Sequence, residues 1–402
     1  MWTPPNESEF VYRAKIACVC DEAVFTNSGP LRILIISRSG GMAGSTESII
    51  YLARGLAQRG HEVHLGCPAK VVFWERLKDD PVKLHEIPFS GKGDVRSVYM
   101  LYHLVRRERI QLVNAQSGAD RYVGMMARMI PGFGARLVHT RRQRINSSGG
   151  ALQRWLYMKG TDGLVAVSEG VKRSMLKKGY PENQVKVIPN GTPREKYHAW
   201  DPKRTDWLSR QLGICVDDFV IGCVARPKRQ DHLFRALTLL PFKPRVLFLG
   251  LSYTEAEKNF PESFRLAREH DCQMHLLGRQ SPRDVLAWLK LMKFNVLPSV
   301  IEGLSQSLLE AMAMGVPCIA TEAAGNPDLI RHGENGLLYE NHNPTDLAKK
   351  MLELYSSAEK RRQMAEAGKK TALEDFSIDQ TIEGYQRYFY GLLGIEANGR
   401  LS

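Results

Sequence analysis

The strongest constraint on the fold is a pattern near the start of the chain. Residues 31–36 read LRILII, a nearly continuous run of leucine and β-branched residues, and residues 37–41 read SRSGG. A helical pattern follows from Ser45 to Arg59, Gly60 closes it, and an extended apolar pattern resumes at 62–65. A strand, a glycine loop, a helix and a second strand make a β-α-β unit, and such units build a parallel, doubly wound sheet.

The same pattern continues through the first half of the chain. Further strands are predicted at 112–115, 136–139, 163–167 and 185–188, with helices at 98–108 and 170–178. The residues PNGTP at 189–193 are turn-forming and predict a linker. We therefore expect an N-terminal α/β domain over residues 1–190, in which residues 1–30 form an extension.

The second half of the chain repeats this organisation. Strands are predicted at 219–224, 245–249, 274–277, 294–297 and 318–320. We expect a second doubly wound domain over 195–376, because 402 residues exceed the size of a single core. The amphipathic segment 378–392 predicts a helix in residues 377–402 that packs back on the body. Such sheets bind ligands beyond the carboxyl ends of their strands, so two facing domains place two ligand sites on one cleft.

The net positive charge of the chain comes entirely from its first half. The first 200 residues contain 30 Lys and Arg and 17 Asp and Glu, whereas the remaining residues contain 26 of each. A basic domain favours an anionic partner, such as phospholipid headgroups or a phosphorylated acceptor. Nucleic acid is disfavoured, because no recognised binding motif or aromatic platform accompanies the charge. The candidates for a basic face are Arg106, Arg107, Arg109, Arg136, Arg141, Arg142 and Arg144.

Cysteine usage and hydropathy indicate the compartment. The seven cysteines are scattered and odd in number, which argues against a disulfide framework and a paired zinc motif. Cys18 and Cys20 fit alternate faces of a strand better than a metal site. The N-terminus lacks a basic start followed by a hydrophobic core, and no stretch of about 20 apolar residues occurs. We expect a cytoplasmic protein with at most peripheral membrane contact.

Two glutamates eight positions apart carry the chemistry of the second half. The predicted strand 294–297 is followed by PSVIEGLSQS and then a helical pattern, which places Glu302 in a loop and Glu310 in the second helical turn. The helix start offers free N–H groups for a phosphate, with Gly303 permitting close approach. Glu310 suits the vicinal hydroxyls of a ribose, and Glu302 suits the sugar hydroxyls or positive charge at the anomeric carbon.

The stretch 302–337, EGLSQSLLEAMAMGVPCIATEAAGNPDLIRHGENGL, resembles the signature of the family 4 retaining glycosyltransferases. The resemblance extends to the glycine loop and its helix, to DGLVAVSEGVK at 162–172 and to VKVIPNG at 185–191, and it covers roughly 31–376. It implies the GT-B fold, in which two doubly wound, Rossmann-like α/β domains face each other across a cleft. It also implies a sugar-nucleotide donor in the C-terminal domain and an acceptor in the N-terminal domain.

The resemblance also implies roles for individual residues. Glu310 would bind the ribose, and Glu302 with the amides of Gly303, Leu304 and Ser305 would surround the donor sugar and phosphates. The family holds the diphosphate with an arginine and a lysine after the first strand of the second domain. Arg226 matches the arginine, and Lys228 and Arg229 compete for the lysine because this loop is short. Glu302 and Arg226 are the predicted catalytic residues.

Two further contacts follow from the resemblance. Gly278 and Arg279 match the place where family members contact the nucleotide base, mainly through the backbone. Gly40 and Gly41 match the loop that approaches the donor phosphates from the opposite domain; a plain tight turn is the alternative. No metal is predicted, because Arg226 and a neighbouring lysine would neutralise the leaving diphosphate.

The N-terminal domain departs from the family pattern at one point. Many family members carry a histidine in the stretch that here reads VNAQS at 113–117. Gln116 could take a positioning role, and His139 at the end of a strand is a lone histidine that fits a structural role. No catalytic residue of this domain is assigned.

The sequence thus predicts a retaining, nucleotide-sugar-dependent glycosyltransferase. The donor would be a UDP- or GDP-sugar, and the acceptor a hydroxyl of a glycan, a lipopolysaccharide-type glycan or a lipid at the inner face of the cytoplasmic membrane. A front-side mechanism fits best, with a covalent intermediate on Glu302 as the alternative. The rival interpretations are a GT-B epimerase or glycan phosphorylase and a non-catalytic sugar-nucleotide-binding scaffold.

Overall fold

The computed structural model describes residues 29–41, 44–143 and 151–395. The predictions for the extension before residue 29, for Cys18 and Cys20, and for Arg144 lie outside the described residues. Two separate parallel sheets account for the strands, one of seven strands and one of six. The α/β class and the doubly wound GT-B architecture predicted from the sequence are confirmed.

The first sheet has the strand order β3-β2-β1-β4-β5-β6-β7, and every pairing is parallel. Its strands are β1 (Arg32–Ile36), β2 (Glu62–Cys67), β3 (Val82–Glu86), β4 (Leu112–Ala115), β5 (Arg136–Arg141), β6 (Gly163–Ala166) and β7 (Val185–Val187). Its helices are α1 (Gly44–Gln58), α2 (Val72–Arg76), α3 (Val95–Arg107), α4 (Gly118–Arg128), α5 (Ala151–Gly160) and α6 (Glu169–Leu176). A short helix, α7 (Glu195–His198), leads out of this half.

The second sheet has the order β10-β9-β8-β11-β12-β13. Its strands are β8 (Val220–Val224), β9 (Arg245–Leu249), β10 (Gln273–Leu276), β11 (Phe294–Leu297), β12 (Cys318–Thr321) and β13 (Leu337–Tyr339). Its helices are α8 (Pro202–Gln211), α9 (Gln230–Leu237), α10 (Tyr253–Asn259), α11 (Pro261–Glu269), α12 (Pro282–Leu289), α13 (Gln306–Ala313), α14 (Asn326–Leu329), α15 (Pro344–Ser356) and α16 (Ala358–Lys370). A π-helical turn at Thr371–Asp375 precedes the last helix, α17 (Ile378–Leu393).

The predicted strands are confirmed to within one or two residues at their ends, and two strands were missed. β3 reads VKLHE at the edge of its sheet and buries only its first residue. β13 is three residues long and also lies at an edge. Edge strands need neither a continuous apolar run nor much length, so they lack the pattern by which central strands are recognised.

The chain crosses between the two sheets at two places that lie side by side. Thr192 forms an isolated parallel bridge with Ser377, and the Thr192 N–H donates to the Phe376 carbonyl over 3.2 Å. Gly191 fits there because a Cβ on it would lie 2.1 Å from the Ser377 carbonyl oxygen. After this point α17 returns to the first sheet, where Tyr385 and Phe389 are fully buried in a core shared with β1 and α1.

No described helix is both long and apolar enough to cross a bilayer, within residues 29–41, 44–143 and 151–395. The longest, α17, has its apolar side chains packed against the first sheet. The structure therefore places the amphipathic terminal segment where the sequence interpretation put it, as a packing helix.

Candidate functional site

The candidate site lies where the strand order reverses in both sheets. In the first sheet β1 lies beside β4, and in the second β8 lies beside β11, so neighbouring loops diverge at these positions. Gly40 and Gly41 follow β1 and Gln116 follows β4, while Arg226 and Lys228 follow β8. Glu302 follows β11 in the same way. The crevice beyond such switch points is where open α/β sheets bind their ligands.

The loops from the two sheets contact each other directly. A Cβ added to Gly303 would lie 1.9 Å from the carbonyl oxygen of Arg142, which follows β5 of the other sheet. A Cβ on Gly44, at the start of α1, would lie 3.1 Å from Cγ of Gln306 at the start of α13. The starts of the two helices thus meet across the cleft, and Gly303 is required there because the Arg142 backbone fills the space of a side chain.

Glu302 is paired with a lysine from the neighbouring loop. The Lys228 ammonium donates to Oε1 of Glu302 across 74 positions of sequence, and the Glu302 side chain is 15% exposed. The backbone carbonyl of Glu302 also accepts a hydrogen bond from the Gly325 N–H over 3.3 Å. The first predicted carboxylate therefore sits in the crevice with a cation beside it.

The two basic candidates that competed for one role occupy different places. Arg229 donates to Asp231 over 3.0 and 2.9 Å, and its guanidinium also contacts His232, so it is bound to its own helix α9. Lys228 instead reaches Glu302. Arg226 is exposed, and in the described part of the chain its guanidinium makes no hydrogen bond or ion pair. Lys228 therefore lies beside Glu302 at the crevice, and Arg226 lies in the same loop.

Glu310 is also paired, with a lysine that the sequence interpretation missed. Lys196 Nζ lies 2.5 Å from Oε1 of Glu310, and both side chains are less than 20% exposed. Burial alone would lower the pKa of Lys196, but the charge and hydrogen bond of Glu310 raise it above its ordinary value. Lys196 lies 114 positions before Glu310, so only a contact between distant segments reveals it.

The start of α13 presents unpaired amides toward the crevice. Ser305 caps the helix by accepting the Leu308 N–H over 3.3 Å, as its position before the apolar run predicts. The N–H groups of Leu304, Gln306 and Ser307 have no acceptor among the described residues. Gly303 lies in the same loop. Helix starts with free amides bind anions, so this loop can accept a phosphate.

Three further glycines, Gly40, Gly41 and Gly278, were predicted to contact the nucleotide sugar. Gly40 packs against Val71 with no room for a side chain, whereas Gly41 has open space and its carbonyl accepts from the Thr46 hydroxyl. Gly278 has a φ of 60°, and its carbonyl accepts the Gly250 N–H over 2.6 Å, which ties it to the loop after β9. Arg279 beside it is exposed.

The N-terminal side of the cleft holds a half-buried arginine bound by neutral groups. Arg142 donates to the Gln116 side-chain oxygen over 3.1 and 2.8 Å and to the Asn190 side-chain oxygen over 2.8 Å. Burial lowers the pKa of Arg142, and no carboxylate contributes to it. Gln116, in the stretch 113–117 where a histidine was expected, thus holds Arg142, whose carbonyl oxygen lies against Gly303.

His139 is fully buried in β5, and neither ring nitrogen has a hydrogen-bond partner. Its ring packs edge-on against Tyr157 with centroids 5.5 Å apart. Burial, and then the charges of Arg121 and Arg141, lower its pKa far below the ordinary range. The side chain is therefore a neutral part of the packed interior.

Several arginines predicted to form a basic face have local partners. Arg136 pairs with Asp162 over 2.9 Å, Arg106 donates to the Gly132 carbonyl over 2.8 Å, and Arg107 pairs with Glu108 over 2.8 Å. Arg141 and Arg142 belong to the cleft side of the domain instead. A backbone carbonyl leaves the charge of Arg106 in place, and Arg136 shares the single carboxylate of Asp162 with Arg128, so the basic face stays a prediction.

One group of possible metal ligands is found in the described ranges, away from the crevice. Glu62, His64 and Glu108 have ligand atoms within 4.8 Å of one another. Glu62 and Glu108 lie at the amino ends of β2 and β4, the opposite edge of the sheet from the crevice. Lys83 already binds Glu62, and His85 lies 2.8 Å from His64, so these groups satisfy one another.

Two family models match the chain, one in each half. The family model for glycosyl transferases group 1 matches residues 208–371, and the model for glycosyltransferase family 4 matches residues 42–196. The first contains β8 to α16 with Arg226, Glu302 and Glu310, and the second contains β2 to β7 with Lys196 at its end.

Curated relatives are similar over part or most of their length. An uncharacterized glycosyltransferase of Methanocaldococcus jannaschii is 30% identical over 230 residues, which are 57% of this chain and 59% of that protein. The N-acetyl-alpha-D-glucosaminyl L-malate synthase of Bacillus anthracis is 21% identical over 87% of this chain and 94% of that protein. The chain thus spans less than two thirds of the first relative and nearly all of the second.

Solved structures share the fold over nearly the whole chain. A glycosyltransferase from Rickettsia africae superposes with a TM-score of 0.80 at 18% identity, covering 91% of this chain and 99% of that one. Anabaena Alr3699/HepE in complex with UDP superposes with a TM-score of 0.78 at 19% identity, covering 90% of this chain and 100% of that one.

Proposed function

Since the chain belongs to the glycosyltransferases of group 1 and family 4, we propose that it transfers a sugar from a nucleoside diphosphate to an acceptor hydroxyl with retention of configuration. The observation that carries this proposal is the placement of Glu302 and Glu310 in one crevice, each beside a lysine. The unpaired amides at the start of α13 lie between the two carboxylates in sequence. Sugar, phosphate and ribose thus each meet a suitable group.

The donor would lie along the start of α13. Glu310 keeps Oε2 for a ribose hydroxyl while Lys196 holds Oε1 in place. The amides of Leu304 and Gln306 and the cations Arg226 and Lys228 would surround the diphosphate, where charge develops as the bond to the sugar breaks. Glu302 would face the sugar. Gly278 and Arg279 would lie near the base, and Gly41 would approach the phosphates from the other sheet.

The chemistry we propose is a front-side displacement. The acceptor oxygen forms a bond to the anomeric carbon on the face that the diphosphate leaves, and the acceptor proton passes to a phosphate oxygen of the leaving group. Arg226, Lys228 and the amides stabilise the negative charge, so the step requires no metal. Glu302 stabilises the positive charge at the anomeric carbon. A covalent sugar–Glu302 intermediate remains the alternative, since Lys228 pairs with Oε1 and leaves Oε2 of this carboxylate.

A membrane-associated acceptor is supported by one face of the first half. Val95 and Tyr99 on α3 are 75% and 64% exposed, and Arg96 beside them is exposed as well. Apolar and aromatic side chains next to a cation favour the boundary of an anionic bilayer. We propose peripheral binding to the inner membrane face through α3, which co-sedimentation with vesicles containing phosphatidylglycerol tests: the Tyr99→Asp variant should bind more weakly than the native chain.

The donor is tested by thermal unfolding with UDP-, GDP-, ADP- and TDP-sugars, because a ligand of the folded state raises the melting temperature. UDP-glucose comes first, since Anabaena Alr3699/HepE was solved with it. We expect one nucleotide class to shift the transition and Glu310→Gln to weaken its affinity about tenfold to hundredfold, through loss of a charged hydrogen bond. The exposed Glu257 on α10 provides the matched control Glu257→Gln, which should leave the affinity unchanged.

The same samples separate an enzyme from a scaffold. Release of UDP from a UDP-sugar, with or without acceptor, supports the transferase. A nucleotide shift without any turnover would favour the sugar-nucleotide-binding scaffold, for which the missing histidine in 113–117 is the supporting observation. Equal affinity of native protein and Glu310→Gln would contradict the ribose role.

A further inference from the structure

Two arginines near the carboxyl ends of β4 and β5 form no ion pair with any residue that the structure describes. Arg121 lies in the first turns of α4, which follows β4, and Arg141 is the last residue of β5. Nε and Nη1 of Arg121 are buried without a hydrogen-bond partner. In the described part of the chain the guanidinium of Arg141 makes no ion pair or hydrogen bond either. The N-terminal half therefore carries two cations for which the described residues supply no counter-ion.

Tyrosine rings form the surroundings of this pair. The Arg121 guanidinium lies over the ring of Tyr157, 5.5 Å from its centroid. Tyr157 in turn packs against Tyr122 at 5.8 Å and against Tyr180 at 6.1 Å between centroids. Aromatic faces stabilise a guanidinium while leaving its N–H groups for another ligand. The Arg121 guanidinium therefore packs on an aromatic ring and does not simply extend into solvent.

The nearest carboxylate does not bind the pair. Asp120 precedes Arg121, but its oxygens accept from the N–H groups of Gln116, Ser117 and Arg121 and from the Ser117 hydroxyl. Asp120 therefore serves the start of α4. Elsewhere in the same half, Arg128 and Arg136 share the carboxylate of Asp162 over 2.7 and 2.9 Å. Arg128 and Arg136 therefore have a carboxylate partner at the opposite edge of the sheet, whereas no described carboxylate binds Arg121 or Arg141.

The electrostatics agree with this geometry. Burial and then the charge of Arg121 lower the pKa of Arg141 to about 10. Two desolvated like charges destabilise the folded protein unless an anion joins them. The neighbouring His139 is neutral and offers no negative charge. An anion supplied from outside is the group that this cluster lacks.

The pair lies beside the predicted donor site. Arg141 is followed by Arg142, whose carbonyl oxygen lies where a side chain on Gly303 would be. The residues that follow β4 and β5 are on the N-terminal side of the cleft, where a GT-B enzyme presents its acceptor. A group bound by Arg121 and Arg141 would therefore be near the sugar to be transferred.

We propose that Arg121 and Arg141 bind an anionic group, a phosphate or a carboxylate, of the molecule that accepts the sugar. This inference rests on the proposed function, because it takes the occupant of the N-terminal side to be the acceptor. It narrows the acceptor to an anionic molecule.

The test uses the full chain with a saturating nucleoside diphosphate, so that the donor site is already occupied. Inorganic phosphate and malonate are titrated separately at constant ionic strength, with sodium chloride as the counterpart, and the melting temperature is recorded. We expect one of the two anions to raise it by about 2–5 °C beyond chloride. Arg121→Gln and Arg141→Gln should each lose this rise, and Arg107→Gln, which removes an exposed arginine of the same half, should keep it.

The two anions distinguish a phosphorylated acceptor from a carboxylated one. A rise that persists in Arg121→Gln, or no rise with either anion in the native chain, would overturn the proposal. If the variants do not fold, phenylglyoxal modification of the native chain replaces them: phosphate or malonate should slow modification of Arg121 and Arg141 several-fold, and equal rates would overturn the proposal. A missing nucleotide response in the same samples would contradict the proposed function alone.

Discussion

The two sides of the cleft handle charge in opposite ways. On the C-terminal side each carboxylate of the site has a lysine beside it, Glu302 with Lys228 and Glu310 with Lys196. On the N-terminal side Arg142 is held by neutral amide groups, and neither Arg121 nor Arg141 forms an ion pair with a described residue. A balanced site can exchange its internal pairs for ligand contacts, whereas an unbalanced site needs a ligand charge to be complete. The difference supports the proposal that the donor binds on one side and an anionic acceptor on the other.

The largest expected effect tests whether the C-terminal pairs serve the diphosphate. Replacing Lys228 by Met should reduce kcat/KM for the donor about 100-fold to 1,000-fold, because a cation near the developing phosphate charge is lost. The matched variant Arg229→Met removes a cation one residue away whose guanidinium is bound to Asp231. We expect a change of less than about threefold there. Similar losses in both variants, measured by nucleotide release, would remove the distinction between these residues.

A prediction of intermediate size tests the contact between the two sides of the cleft. Gly303→Ala places a methyl group 1.9 Å from the Arg142 carbonyl, so the loop after β11 must move away. We expect a destabilisation of about 1–3 kcal/mol and a loss of turnover larger than the loss of nucleotide affinity. Gly391→Ala in α17 is the control, since a Cβ there meets nothing within 4 Å. Denaturant unfolding and turnover measure both, and an unperturbed Gly303→Ala would show that the two sides are not in contact in solution.

The smallest effect compares the stability of the two sides in acid. Burial and the charge of Arg59 lower the pKa of His61 to about 4, and burial and the charge of His64 lower that of His85 to about 4. The unfolded chain therefore binds more protons between pH 6.5 and 4, so stability is complete above pH 6.5 and is lost as the pH falls toward 4. We expect about 1–2 kcal/mol per histidine at pH 5.

Hydrogen exchange at pH 7 and pH 5 locates this loss. Both histidines lie in the first half, so peptides from β1, β2 and α17 should lose protection first. On the other side His232 has a pKa lowered to about 4 by burial, and β8 and β9 should follow with a smaller change. The His61→Gln variant should reduce the acid sensitivity of the first half. Equal loss in both halves of the native protein would contradict the assignment to His61 and His85.

The sequence was informative where the site is made of consecutive residues. Glu302, Gly303, Ser305 and Glu310 belong to one loop and one helix, and the spacing of strand, cap and apolar run is enough to predict their positions. The central strands were predicted for the same reason, since buried parallel strands are continuous apolar runs. The edge strands β3 and β13 lack that pattern and were missed.

Tertiary structure decided the partners of these residues. Lys228 rather than Arg229 reaches Glu302, and Lys196 pairs with Glu310, through contacts that join separate segments. Arg136 likewise finds its partner Asp162 in a segment 26 positions away, whereas Arg107 pairs with Glu108 beside it. Local pattern reports which face of an element is apolar and where an element begins. Which charges neutralise each other depends on how the chain brings its loops together, and this only the folded molecule determines.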